Sequence, residues 1–234
     1  MKYSRAAQSF IMITVLCTGL ILRCPAGFAA EESPPEVTKD GLHLYKQTKE
    51  RLAYVKPDAT FTQYKQVAIR DCDVEFSQDW VQDYNRDQRD LSRRIKPSDL
   101  DRAKAALQKD FKKVFTQELQ QGRRYQVTNS GGTDVLELRP GLIDIRVNAP
   151  DLMSAGRSTS YVESAGEMTL YLELWDSGSN TLLARVTDTK VDPRRYGQRA
   201  NSVTNQAAAD RLMRSWADEL RSGLDLVRGK DVAR

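Results

Sequence analysis

Two stretches of the chain repeat their apolar residues every three or four positions, which is the spacing of an amphipathic helix. The first begins near Ser98, which together with Asp101 resembles a capping box, and continues to Leu119. Gly122 follows, where a helix commonly ends. The second stretch runs from about Val203 to Arg228. Both apolar stripes are predicted to be core that covers a sheet: Leu100, Ala103, Leu107, Phe111, Val114 or Phe115, and Leu119 in the first, and Ala209, Leu212, Met213, Trp216, Leu220, Leu224 and Val227 in the second.

Alternating apolar residues and turn signals predict about five strands. Their approximate ranges are 65–76, 125–128, 135–147, 158–175 and 181–191. The first and third of these change the parity of their apolar positions, near Arg70 and at Pro140-Gly141, so we expect a bend or bulge in each. The last two are joined by a polar turn over 176–180 and are predicted to form a hairpin.

These elements predict an α+β fold. We expect a two-layer sandwich, in which a mixed, mostly antiparallel sheet of about five strands is covered by two amphipathic helices. The first strand, the first helix and the following strand are expected to form a parallel βαβ unit. Residues 42–229 are enough for one core and too few for two domains. Residues 30–41, with two adjacent prolines, are predicted to be a flexible leader, and 230–234 a short tail.

The segment between the first strand and the first helix, residues 77–96, is dense in charges of both signs. Trp80, Tyr84 and Leu91 are interleaved among these charges. The composition indicates a solvated excursion that the three apolar side chains pin to the domain. A ligand-facing loop is the alternative, because long connections often carry function. Trp80 and Tyr84 are therefore candidate binding residues.

Two other groups are candidates for a binding surface. Tyr171 and Trp175 share one face of the predicted strand 158–175 with charged residues, an environment typical of protein contacts. Arg194 and Arg195 belong to a basic loop over 193–201. We predict that all four contribute to binding. For Tyr171 and Trp175 the alternative is that they lie under the segment 77–96.

The N-terminal residues have the three-part pattern of a secretory signal peptide. Lys2 and Arg5 give a positive start, an apolar run of about 13 residues follows over 10–22, and small residues over 26–30 precede two glutamates. The run is shorter than the roughly 20 residues that span a bilayer. We predict that 1–29 is a cleaved signal peptide, that the product is periplasmic or otherwise exported, and that no transmembrane segment is left. A retained anchor is the alternative.

Removal of the signal peptide changes what the composition implies. Of 36 Lys and Arg residues in the chain, three lie in 1–29 together with Cys17 and Cys24, whereas all 32 Asp and Glu residues lie beyond it. The mature chain therefore has 33 basic and 32 acidic side chains, a balance that gives no case for nucleic-acid binding. Neither cysteine follows the small residues of a bacterial lipobox, so lipid attachment is disfavoured. Cys72 is the only thiol left, which excludes an internal disulfide and indicates a small buried side chain, with an intermolecular bridge as the alternative.

The sequence contains no recognisable catalytic, metal or phosphate-binding motif. His43, the only histidine, and Cys72 are too few to build a zinc site, and His43 has no nucleophile partner. We therefore predict no cofactor, no metal and no catalytic residue. Glu167 and Glu173 are six residues apart on one strand face, roughly 20 Å, whereas a glycosidase pair needs about 5–10 Å. A carboxylate partner on a neighbouring strand is the open alternative.

Four segments resemble a bacterial family known as domain of unknown function 3313. They are Trp80–Asp87, Leu138-Arg139-Pro140, Ser164–Tyr171 and Ala200–Asn205, within a similarity that covers about 42–228. The resemblance implies an exported bacterial protein with a mixed sheet and two covering helices. Many members are predicted lipoproteins, and this chain departs from them because it lacks a lipobox. The resemblance brings no reaction and no catalytic residues.

Three functions are compatible with these observations. The leading hypothesis is a non-enzymatic cell-envelope module that binds an envelope protein or a cell-wall component. The runner-up is a carboxylate-dependent envelope hydrolase, with Glu167, Glu163 and Asp144 as the first suspects because they lie on predicted strands. The third is a structural subunit that joins a larger exported complex through an edge strand or the leader. An enzyme should show two carboxyl groups converging in a concave pocket, and a binding module a flatter patch of aromatic and arginine side chains.

Overall fold

A computed structural model of the chain describes residues 33–123, 125–147, 160–162, 166–192, 198–200 and 202–232. Within these ranges the chain forms three α-helices, two short 3₁₀-helices and two sheets. The helices are α1 Gln78–Asp87, α2 Pro97–Leu119 and α3 Ser202–Val232. The strands are β1 His43–Gln47, β2 Arg51–Val55, β3 Gln66–Ile69, β4 Asp73–Phe76, β5 Gln126–Thr128, β6 Val135–Val147, β7 Ser160–Val162, β8 Gly166–Asp176, β9 Thr181–Val191 and β10 Gln198–Ala200.

The main sheet is mixed and has eight strands in the described part of the chain. Seven of them follow the order β1-β2-β9-β8-β6-β3-β5, and β4 also pairs with β6. The pairs that involve β3 or β4 are parallel, and the others are antiparallel. The predicted α+β class and mixed sheet are confirmed. The prediction of about five strands is wrong for this sheet, and a two-layer sandwich is not confirmed.

Two features of the sequence account for the larger number of strands. The first predicted strand is two strands, because the chain leaves the ladder between Ile69 and Asp73. β3 then pairs with the first half of β6, and β4 pairs with its second half. The bend predicted near Arg70 is therefore confirmed. The bend predicted at Pro140-Gly141 is wrong, because β6 pairs regularly with β8 through these residues and its register shifts only between Ile143 and Arg146. β1 and β2 were not predicted because β1 is mostly exposed and polar, which hides its alternation.

The start of the domain is hydrogen-bonded from Pro35 onwards. The Tyr54 hydroxyl donates to the Pro35 carbonyl at 3.0 Å, and Val37 pairs with His43 across a turn at Gly41, where φ is +76°. A positive φ is readily adopted only by glycine. These contacts attach the second half of the predicted leader to β1 and β2.

The segment 77–96, expected to be an irregular excursion, contains α1. The hydroxyl of Ser77 accepts from the Trp80 amide at 3.4 Å, and Asp79 and Arg86 lie at the ends that suit their charges. None of the residues in α1 is fully buried, so the helix leaves only a weak apolar stripe in the sequence.

Helix α2 begins slightly earlier than predicted. Lys96 is the cap, Pro97 takes the first helical position, and the Asp99 carboxylate accepts from the Lys96 amide at 3.0 Å. The predicted role of Ser98 as cap is therefore wrong by two positions. Gly122 has a φ of +70°, as expected for the residue that ends a helix.

Helices α2 and α3 pack against each other and share one core with the sheet. The rings of Phe111 and Phe115 stack with centroids 3.9 Å apart, beside Met213 and Trp216 of α3. The predicted core positions Met168, Leu170, Leu172 and Leu174 of β8 are all buried. Cys72 is buried as predicted, and burial raises the pKa of its thiol to about 12. None of the helices in the described ranges has the long apolar run that crossing a membrane requires.

Candidate functional site

The described part of the chain forms a largely apolar cavity of about 310 Å³ that opens to solvent. Its walls come from α1, the first half of α2, the start of α3, and the adjoining ends of β6 and β8. The apolar side chains include Trp80, Leu100, Ala103, Leu107, Ile145, Met168, Ala209 and Leu212. A volume of this size lies at the lower end of the range found for small-molecule sites.

The cavity exists because the apolar stripe of α2 is only partly covered. Towards the end of the helix, Phe111 and Phe115 are fully buried in the core. In its first half, Leu100, Ala103 and Leu107 are only partly buried; they pack against the core, as predicted, and also line the cavity. The sequence did not predict the cavity, because periodicity identifies an apolar face and not how completely it is covered.

Trp80 forms one wall of the cavity and is held firmly. Its ring stacks on Phe76 with centroids 5.9 Å apart, and Tyr84 lies 6.3 Å from it on the next turn of α1. The indole Nε1 donates to the Val147 carbonyl at 3.0 Å. This bond satisfies the only polar group of the side chain, so its ring presents an apolar surface to the cavity. Burial raises the pKa of Tyr84.

Four charged side chains line the cavity, and their partners differ. Asp99 contacts Arg102 at 2.5 Å, and Arg146 pairs with Asp144 at 3.3 Å, so these two are neutralised by neighbours. Asp110 accepts from the uncharged Gln206 amide at 3.0 Å. Glu167 lies directly opposite Arg146 in the register of β6 and β8, so the two charges face each other across the strands.

A second group of polar side chains lies on the face of the sheet opposite to the core. We call it the sheet-face cluster: Arg70, Glu137, Arg139, Tyr171, Glu173, Trp175 and Arg185. The strand register brings its members together, because Glu137 lies opposite Trp175 and Glu173 lies between Arg139 and Arg185. The Arg139 guanidinium stacks over the Trp175 ring at 4.0 Å from its centroid.

Arginine and aromatic donors saturate both carboxylates of this cluster. Glu137 accepts from Arg70 and, at 2.6 Å, from Arg139. Glu173 accepts from the Tyr171 hydroxyl at 2.6 Å, the Trp175 indole at 2.9 Å and Arg185 at 3.0 Å.

These contacts keep both carboxyl groups ionised. The hydrogen bond from Arg70 lowers the pKa of Glu137. Burial opposes the change at Glu173, but the donors from Tyr171, Trp175 and Arg185 outweigh it and lower its pKa. Burial and the Glu173 contact raise the pKa of Tyr171 to about 12. A glycosidase acid must instead hold a proton near neutral pH, so this pair does not have the required chemistry.

The residues suspected for a hydrolase differ in their surroundings. Glu167 lies at the cavity, whereas Asp144 is exposed, has a φ of +50° and pairs with Arg146. Glu163 lies outside the described residues. The described ranges also contain no group of three potential ligands that could hold a metal ion.

The predicted binding residues that the structure describes lie in two places, at the cavity and in the sheet-face cluster. Trp80 lines the cavity and Tyr84 is packed beside it, while Tyr171 and Trp175 belong to the sheet-face cluster. Arg194 and Arg195 lie outside the described residues. The remaining members of both regions were not predicted, since their assembly depends on strand register and helix placement.

Comparisons with known proteins add a family match. A family model described as a protein of unknown function (DUF3313) matches residues 40–220. No curated protein matches the chain significantly.

Among solved structures, the likenesses are weak. Protein XCC0632 from Xanthomonas campestris, a DUF330 protein, is 12% identical, with a TM-score of 0.39 over 77% of this chain and 94% of its own. The PelC dodecamer from Paraburkholderia phytofirmans is 10% identical, with a TM-score of 0.37 over 71% of this chain and 96% of its own. Scores this low do not establish a common fold.

Proposed function

The chain belongs to the DUF3313 family, and we propose that it is an exported, non-enzymatic binding module of the bacterial cell envelope that holds an apolar group in the cavity beside Trp80. The cavity is the observation that carries this proposal. Apolar surface that remains in contact with water is costly, and a concave apolar surface commonly marks a binding site. An open apolar cavity of about 310 Å³ therefore favours a ligand that covers its walls.

The walls of the cavity favour an apolar ligand. The surface presented by Leu100, Leu107 and Leu212 lacks hydrogen-bonding groups, so water gains little by entering. Replacing that water by a hydrocarbon is favourable by about 25 cal/mol for each Å² of apolar surface removed from water. The preformed bonds of Trp80 also reduce the ordering cost of binding, because this wall is already fixed.

A fluorescence titration tests the cavity directly. N-phenyl-1-naphthylamine, a neutral dye that brightens in apolar surroundings, should bind the purified protein at one site. Ala103→Phe places a ring in the space beside Leu107 and should weaken binding at least tenfold. Ala105→Phe adds the same ring at an exposed position of α2 that does not line the cavity, and should leave binding unchanged.

Two outcomes would contradict the cavity proposal. The dye could fail to bind to the folded protein, or both variants could bind it as the wild type does. Circular dichroism and the urea midpoint of each variant establish that the fold is intact, so that lost binding is not lost folding.

The proposal that the protein is exported rests on the N-terminal sequence, in which a positive start is followed by an apolar run and then by small residues. Fractionation of cells that express the full sequence should recover the protein from the periplasm. Its N-terminus should begin directly after Ala29 or Ala30. A cytoplasmic protein that retains Met1 would contradict export, and a membrane-bound protein that retains residues 1–29 would support the anchor instead.

A protein contact at the sheet-face cluster is a second candidate. Arginine and aromatic side chains are enriched at the energetic centres of protein interfaces, and Arg139 is already stacked on Trp175. Cross-linking in cells followed by mass spectrometry should then identify an envelope partner. Trp175→Ala should weaken the contact, whereas the exposed Leu91→Ala should not. Retention of full binding by the Trp175 variant would exclude this surface.

A further inference from the structure

We infer that the sheet-face cluster binds the same cluster of a second copy of this chain, an inference that rests on the protein contact given above as the second candidate function. The two sheets then pack with their outer faces together. A row of alternating charges across the strands identifies the partner as a second copy.

This row contains four charged side chains. Arg139 of β6 lies opposite Glu173 of β8, and Glu173 lies opposite Arg185 of β9. Asp40, in the turn before β1, extends the row, because its carboxylate contacts the Arg185 guanidinium at 2.8 Å. The signs along the row are therefore positive, negative, positive and negative.

The row is complementary to itself after a half-turn. A two-fold axis that runs along the strands, between β8 and β9, reverses the order of the charges in the second copy. Arg139 of each copy then faces Asp40 of the other, and Glu173 faces Arg185. An axis along the row would instead place like charges opposite each other, so the charges select the axis along the strands. Each charge also has a partner within its own chain, so burial of the row leaves no charge uncompensated.

The same axis brings two apolar side chains together. Trp175 lies opposite Leu182 in the register of β8 and β9, so the half-turn places Trp175 of one copy over Leu182 of the other. Both residues are partly exposed in the single chain. The Arg139 guanidinium and the bond to Glu173 already hold the indole in place, which reduces the ordering cost of association.

The face is large enough for a stable dimer. Strands β6, β8 and β9 have 11 to 13 residues each, and β2 and β4 flank them. A face about 35 Å long and about 20 Å wide offers up to roughly 700 Å², close to the roughly 800 Å² that each partner buries in a typical specific interface. Strands of two sheets that pack face to face lie within about 30° of each other, and an axis along the strands gives this arrangement.

Sedimentation equilibrium of the purified mature protein tests the association. The wild type should be a dimer at micromolar concentrations, and added salt should weaken it. Asp40→Arg and Arg139→Glu each place like charges opposite each other twice in a dimer, so each variant alone should raise the dissociation constant at least about tenfold. An equimolar mixture of the two should form a dimer about as tight as the wild type, because the two reversed charges then face each other.

Matched controls separate the surface from the fold. Asp101→Arg and Arg93→Glu reverse charges at exposed positions outside the sheet, and should leave the dissociation constant unchanged. Circular dichroism and the urea midpoint establish that each variant is folded. Recovery of the dimer on mixing is a second safeguard, since misfolded chains would not restore it.

A wild type that stays monomeric up to about 100 μM would overturn the inference. A wild-type dimer that both charge reversals leave intact would also overturn it, as would a mixture that stays monomeric.

The failure of this inference can be told apart from the failure of the candidate function on which it rests. If cross-linking at the sheet-face cluster captures a different envelope protein, the contact stands and the second copy is excluded. If Trp175→Ala leaves every cross-link unchanged, the contact itself is wrong. The dye titration tests the cavity independently of both results.

Discussion

Asp188→Asn should destabilise the domain by about 2–3 kcal/mol, because it breaks an ion pair that links β2, β9 and α3. The Asp188 side chain is only 5% exposed. It accepts from two nitrogens of Arg51, at 3.0 and 2.7 Å, and from the Trp216 indole at 2.6 Å. Arg51 also pairs with Glu219.

The magnitude follows from the burial of the two partners. Removal of one member of a buried pair typically costs about 3–5 kcal/mol, since the other charge is left uncompensated. Arg51 is 26% exposed and keeps its contact with Glu219, so the cost should fall below that range. Asparagine retains an oxygen that can accept from Trp216, which isolates the loss of charge.

Urea unfolding, followed by far-ultraviolet circular dichroism, measures the effect. With a slope of about 2–3 kcal/mol per molar urea, the midpoint should fall by about 1 M. The matched control is Asp218→Asn, which removes a carboxylate that is 56% exposed and paired with Arg221 on the same helix. Its expected cost is at most about 0.5 kcal/mol.

A double-mutant cycle of Asp188→Asn and Arg51→Met should give a coupling energy above about 1 kcal/mol. If Asp188→Asn unfolds within about 0.5 kcal/mol of the wild type, the reasoning from burial is refuted.

Three further predictions concern other regions. The contact with Arg70 holds the pKa of Glu137 below its ordinary 4.5, so the contact stabilises the fold above about pH 4.5, and this stability is lost as the pH falls through the lowered pKa. Arg70→Met should lower the free energy of unfolding by about 0.5–1 kcal/mol at neutral pH. A loss of the same size in acid would contradict this assignment. Cys72 should react with a maleimide only as fast as the protein unfolds, because its thiol is buried and has a pKa of about 12. Rapid labelling of the native protein would contradict this burial. Gly122→Ala should lower the free energy of unfolding, measured in urea, by about 1 kcal/mol, because the residue has a φ of +70°. An unchanged free energy of unfolding would exclude strain at this turn.

The parts of the fold that the sequence predicts well are those with long and regular apolar patterns. The hairpin of β8 and β9 is such a case, because strict alternation is followed by a polar turn and a returning strand. α2 and α3 are two others. Each of these elements has one apolar face and one polar face over at least three turns or ten residues.

The missed elements lack that contrast. Strand β1 is largely exposed, and its pairing with β2 depends on backbone hydrogen bonds rather than on an apolar pattern. Helix α1 has no fully buried residue, and its alternating charges hide the spacing of Trp80 and Tyr84. The capping signal at Ser77 was present in the sequence and would have supported a helix.

The candidate sites depend on tertiary placement. The common face of Tyr171, Glu173 and Trp175 follows from the two-residue period of a strand. Their arginine partners come from neighbouring strands, whose register a single sequence does not determine. The cavity is hidden for a similar reason, because Leu100 and Leu107 have the same spacing whether they face a packed core or an open space.

Methyl-detected NMR of the protein during titration with 1-decanol tests the central claim most directly. The account predicts saturable shifts at the methyl groups of Leu100, Leu107, Met168 and Leu212, which line the cavity, and none at the buried Leu136 and Leu138 elsewhere in the core. Shifts confined to other regions, or no shifts up to the solubility limit of the alcohol, would contradict a binding function for this cavity.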